Sequence, residues 1–207
     1  MKFIIYLSCL IFSLYLYAYD ENDLITLKKT KKCENCDLTN ANLSKLDLSN
    51  AMLSGANLSL ANLTNTNFFK ADLSYSSLVK SKIYIANLDF ANLEGANLTE
   101  ARLNGASLRG ANLIDATLIS TVLSKSKLED IILDGANLKY TKFRGADLQK
   151  AKFNGSILSF TDFSAADLTE AEMIALDLTN SVFTSAKLDK INFMNINVSG
   201  TNFAKFN

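Results

Sequence analysis

The chain contains no histidine, no tryptophan and no proline. Without histidine it lacks both the commonest general base and the commonest metal ligand. Without proline its turns are made by other means, and no ladder position loses an amide donor. Neither sign of charge prevails: 21 Lys and Arg balance 21 Asp and Glu. That balance excludes the uniform field by which a protein attracts nucleic acid or imitates it. Cysteine is scarce, at three, and there are only eight glycines.

Long apolar runs are confined to the first residues, "MKFIIYLSCLIFSLYLYAYD". Lys2 precedes an apolar stretch from Phe3 to Tyr17, the small Ala18 follows, and polarity begins at Asp20. This is the layout of a secretory signal, with cleavage expected after Ala18 and residues 1–18 removed. The rival reading is an uncleaved membrane anchor over residues 3–19, at the short end of the roughly 20 residues that a spanning helix needs. Both readings export the remainder.

The remainder is repetitive. In "ANLEGANLTEARLNGASLRGANL", residues 91–113, a leucine stands at every fifth position. With that residue as the centre, i, the register runs without insertion from residue 36 to 205, and every centre is apolar, mostly Leu with some Phe. Position i−2 is small, usually Ala, except at Leu46, Ile131, Leu176, Ile191 and Ile196. Position i−1 is most often Asn or Asp. A continuous strand would turn each successive repeat to the opposite face, because five is odd. The chain must therefore turn a corner within every repeat. All eight glycines, Gly55 to Gly200, fall at i+2, which places the corner there.

The tandem triplets Ala96-Asn97-Leu98 and Ala111-Asn112-Leu113 resemble the pentapeptide-repeat family. The resemblance covers about four fifths of the chain. It implies an all-β fold, a right-handed quadrilateral β-helix with four repeats per coil and about 8.5 coils. The expected organisation is a signal segment at 1–18, a cap at 19–35 and the β-helix at 36–207.

Solenoid ends need covering. In "DENDLITLKKT", Asp20 fits a helix N-cap with Asp23 three residues on, Leu24 and Leu27 turn inward, and Lys28 and Lys29 suit the helix end. The C-terminal end offers only large residues at Ile191, Ile196, Phe203 and Phe206. They either plug the last coil or form an end-to-end homodimer.

The inventory for chemistry is thin. Cys33 and Cys36 are a candidate disulfide, suited to an exported protein, that would staple the cap to the first coil. Alternatively they are two small inward fillers on the core register. A haem site is excluded by Asp37 where histidine is required, and zinc lacks third and fourth ligands. Asp72, Asp147 and Asp167 share position i−1 with asparagine, so hydrogen bonding explains them better than acid–base work. No catalytic, cofactor-binding or metal-binding residue is expected, and the chain reads as no enzyme.

Sorting outward positions by side of the square leaves one asymmetry. The side centred on Leu43, Leu63, Ile83 and Leu103 carries Lys45, Lys82, Arg102, Lys125, Lys142, Arg144 and Lys205 against Asp162. The opposite side carries Asp72, Glu94, Asp115, Asp134 and Glu172 against Lys152. A third side turns Leu60, Val79, Ile119, Tyr140, Ile157 and Phe160 outward. The basic side is the candidate partner face. The expected function is an exported interaction module, periplasmic or secreted, binding an unknown protein or an anionic envelope polymer and no nucleic acid. The alternative is a DNA-mimicking topoisomerase binder, like family members that protect gyrase from quinolones. Those are strongly negative and cytoplasmic, and this chain departs on both counts.

Overall fold

The computed structural model describes residues 19–204; the apolar segment 1–18 and the last residues, Lys205 and Phe206 among them, lie outside the described residues. The repeat dictates how the backbone is satisfied, as the segment 96–100 illustrates. Leu98 N–H donates forward to the Thr117 carbonyl at 2.7 Å, and Glu100 N–H to that of Ile119 at 2.9 Å. Asn97 N–H donates back to the Ser76 carbonyl, and Ala96 N–H closes the preceding corner on Leu93. The fifth donor, Thr99 N–H, is accepted by the Asn97 side chain at 3.0 Å. All five amides of the repeat thus have partners, the condition a packed backbone must meet.

Ladder partners are 20 residues apart and parallel: Asn42 pairs with Asn62, Lys82 with Arg102, Asp147 with Asp167. Twenty residues are four repeats, so four sides make one coil, a right-handed quadrilateral β-helix. Each side is too short for a strand run, and most sides contribute a single bridge. At about 4.8 Å per coil the sides are columns of stacked residues. Every i+2 residue from Asn35 to Gly200 has positive φ, the corner conformation that the glycine positions indicated.

Two sides do extend into three-residue strands, β1 (Glu172–Ile174) and β2 (Asn192–Met194), which pair with each other. Both precede a large residue at i−2, Leu176 and Ile196. Among the described residues no corner hydrogen bond reaches either of them, and at Leu46 and Ile191 that bond is long, 3.3 and 3.4 Å. Size alone does not decide this, since Ile131 keeps an ordinary corner bond of 3.2 Å.

The core is the paired column of i and i−2. Leu38 through Phe183 at the centres are almost wholly buried, with alanines beside them. Where i−2 is polar, the buried hydroxyl finds a carbonyl. Thr66, Thr121, Thr141 and Thr161 donate to the centre one coil back, whereas Ser76, Ser81, Ser126 and Ser156 donate within their own corner. Behind the basic side the column becomes a ring stack: Phe143, Phe163, Phe183 and Phe203 lie near-parallel at 4.8–5.2 Å. Phe153 meets Phe143 and Phe163 edge-on. Toward the C-terminal end Leu188, Ile191, Phe193, Ile196 and Phe203 are only partly buried.

Helix α1 (Glu21–Thr30) covers the N-terminal coil, with Asp20 as N-cap accepting from the amides of Asn22 and Asp23. Leu27 is buried and Leu24 packs on the core. The ladder begins at Lys32, paired with Met52, so the coil starts one repeat before residue 36. Asp23 does not reach back to its cap residue; its carboxylate accepts Asp37 N–H at 2.8 Å and ties the helix to the coil beneath.

Candidate interaction surface

Outward positions on each side are i−1, i+1 and i+2. At i−1, Asn and Asp accept the amide of i+1 throughout the described residues, with the single exception of Asn192 in β2. Asparagine also links coils, as in Asn112 Nδ2 to Asn92 Oδ1 at 3.1 Å. These i−1 carboxylates therefore serve as turn caps, as their sharing of the position with asparagine suggested.

On the basic side the rule lapses for four consecutive coils. Position i−1 is Lys82, Arg102, Val122 and Lys142, none of which carries an acceptor. Each of these residues leaves its turn without a side-chain cap, as Ile132, Lys152 and Glu172 do on the opposite side. The structure brings Lys45, Lys82, Arg102, Lys125, Lys142 and Arg144 together on that side, all exposed. Among the described residues none of the six is in an ion pair; those of Lys31, Lys80, Arg109, Lys187 and Lys190 lie elsewhere. Arg102 receives steadying from Tyr84, 3.4 Å from Nη1 to Oη, and that bond pushes its already high pKa further up.

Across the prism, Asp72, Glu94, Asp115 and Asp134 occupy four successive coils, with Glu172 further on. They reach solvent and have no cation partner among the described residues. The neighbouring apolar side exposes Leu60, Tyr140, Ile157 and Phe160, while Val79 and Ile119 are half-buried. There Tyr140 and Phe160 stack at 5.1 Å beneath the ammonium of Lys139.

Sequence reasoning passed over three corner residues of one coil. Tyr75, Ile85 and Phe90 are 66%, 67% and 56% exposed. Ile85 stands out, a β-branched residue at φ 55° on the edge of the basic side. The signal was available: each falls at i+2, the position that leads outward at a corner.

Cys33 and Cys36 form a disulfide. It spans the first corner, Glu34-Asn35, and lies wholly within the first coil rather than joining helix to coil. Asp23 lies close to both sulfurs, yet the bond between them leaves no thiolate to ligate a metal. The open depression beside it, lined by Thr26, Lys32, Glu34 and Met52, offers no convergent polar set. Among the described residues no helix is long and apolar enough to cross a membrane.

The profile of pentapeptide repeats matches the chain in eight copies, with segments from 32–68 to 161–200. Among solved structures the chain is similar to HetL, a pentapeptide repeat protein involved in heterocyst differentiation regulation from the cyanobacterium Nostoc sp. strain PCC 7120. Identity is 31% over 83% of this chain and 82% of that one, with a TM-score of 0.58. QnrB1, a plasmid-mediated fluoroquinolone resistance protein, is 14% identical over 80% of this chain and 85% of its own, with a TM-score of 0.71, a likeness of fold. No curated protein sequence matches. Repeat register, ladder spacing and profile agree: this chain belongs to the pentapeptide repeat family.

Proposed function

We propose that this protein is an exported, non-enzymatic rod that docks an acidic partner, a protein or an anionic envelope polymer, along its basic side. The observation that carries the reading is the set of six exposed cations on one side, none of them ion-paired among the described residues, three of which, Lys82, Arg102 and Lys142, stand where a turn cap would. Export is supported by the apolar N-terminal segment and by the Cys33–Cys36 bond, which suits an oxidising compartment, periplasmic or extracellular. The partly buried Leu188, Ile191 and Phe193 near the C-terminal end favour an end-to-end homodimer as the second contact. The topoisomerase-binding alternative asks for a uniformly negative rod, and a basic side runs against it.

The test is fluorescence-anisotropy titration with labelled sodium polyglutamate, comparing wild type with K82E/R102E/K142E. Wild type should bind at least about tenfold more tightly at low ionic strength. Equal binding by both overturns the docking side. Intact mass of the protein from fractionated cells, without reductant, tests export: a species beginning near Tyr19 supports it, and a full-length reduced cytosolic species overturns it.

A further inference from the structure

We infer that the partner of the basic side is the acidic side of a second copy of this chain. The inference rests on the docking reading above and names its occupant. Its basis is registration. Lys82, Arg102, Lys125 and the Lys142/Arg144 pair sit on four successive coils of one side. Asp72, Glu94, Asp115 and Asp134 sit on four successive coils of the opposite side. Both rows belong to one β-helix, so both repeat at the same rise, about 4.8 Å. Opposite sides are ten residues apart in the chain, half a coil, so an axial shift of about 2.4 Å sets the rows level. An unrelated polyanion has its own charge spacing and drifts out of step; a second copy cannot.

Three further observations point the same way. Neither row is neutralised within its own chain among the described residues. The chain's charges balance over its full length, and loss of residues 1–18 removes only Lys2, so little long-range repulsion keeps copies apart. Both faces are columns with one coil's side chains above the next, paired in register every twenty residues. Because the contact joins one side to its opposite, each bound copy presents a fresh basic side and a fresh acidic side. The contact is heterologous and does not close, so the product is an open lateral row of rods.

Sedimentation velocity over a concentration series tests this, with wild type, K82E/R102E/K142E and E94K/D115K/D134K at about 0.01 M and about 1 M salt. Circular dichroism and denaturant unfolding establish that each variant is folded. Wild type should form larger species at low salt and revert to the smallest unit at high salt. Each triple variant should lose that association by at least about tenfold, since the attraction between the two sides is removed. An equimolar mixture of the variants, the first keeping its acidic side and the second its basic side, should associate again.

Wild type that does not associate at low salt overturns the inference, as does a mixture that fails to reassociate. Association untouched by salt and by both variants also overturns it and assigns the contact to the C-terminal end. Non-associating wild type that still binds polyglutamate in a K82E/R102E/K142E-sensitive way overturns only the identity of the partner. Loss of both behaviours removes the docking side itself.

Discussion

The ring of Tyr75 occupies the space where any residue other than glycine would begin its side chain at position 95. A Cβ built on Gly95 falls 2.6 Å from the ring, and the Tyr75 hydroxyl donates to Glu94 at 3.0 Å. Phe90 covers Gly110 in the same way. Gly95→Ala must both hold alanine at φ 63° and expel the ring. A loss of about 1–2 kcal/mol is expected by denaturant unfolding. In a Tyr75→Ala background only the backbone part should remain. Gly155→Ala, with nothing within 4 Å of the new methyl, should show that smaller loss alone. Equal losses at the two glycines would mean the ring does not matter.

Leu98 is wholly buried between coils. Leu98→Ala should cost about 2–5 kcal/mol in denaturant unfolding, since its neighbours above and below are fixed by the ladder and collapse little. A cost under about 1 kcal/mol would place the side chain outside the core.

Asp147 is a turn cap whose carboxyl is pushed above its ordinary value, first by burial and then by repulsion from Glu129 and Asp167, against the opposing bond from Gln149. A raised pKa in the folded chain means the folded form holds its proton more tightly than the unfolded form. The ionised group therefore opposes folding at neutral pH, and that opposition fades as pH falls through the raised value. An amide side chain in its place would accept the same backbone N–H, as asparagine does elsewhere in the column. Asp147→Asn should raise the melting temperature at pH 7 and give no gain in strong acid. A gain independent of pH would refute the electrostatic origin.

Asp47 has the opposite sign. The hydrogen bond from Lys31, followed by those from Ser49, holds its carboxyl well below the usual range. Lys31 is the αL residue that ends α1, and its ammonium reaches Asp47 at 2.9 Å and the Ser49 carbonyl at 3.2 Å. The contribution is complete above the ordinary carboxylate value of 3.8 and is lost as pH falls through the depressed one. Thermal unfolding of wild type and Asp47→Asn should differ at neutral pH and converge in strong acid. A difference that persists in acid would assign the effect to packing.

Much of the fold is legible because five is odd. That one fact forces a corner into every repeat, and the glycines at i+2 say where. Four sides per coil do not follow from the period; they came with the family likeness of Ala-Asn-Leu. The first coil was hard to see because its centre is Cys33, in "KKCEN", with no leucine to announce it. Asp23 sits where a capping box would use it, and only the packed coil reveals the Asp37 amide as its partner. The charge rows were visible once residues were sorted by twenties. The Tyr75–Gly95 and Phe90–Gly110 pairs obey the same spacing, yet a ring lying over a glycine is a contact between coils and leaves no mark within one repeat.

The ladder has a consequence for how the protein comes into being. Each coil is completed by residues about twenty positions further on, and its buried hydroxyls reach back only 23. Contacts this local, repeated along the whole chain, give the low contact order of fast-folding topologies in spite of an all-β backbone. A chain that emerges N-terminus first has its N-terminal helix as a template, and each further stretch of about twenty residues has a finished layer to settle on. Assembly can thus run in one direction, with a single growing edge exposed at any time.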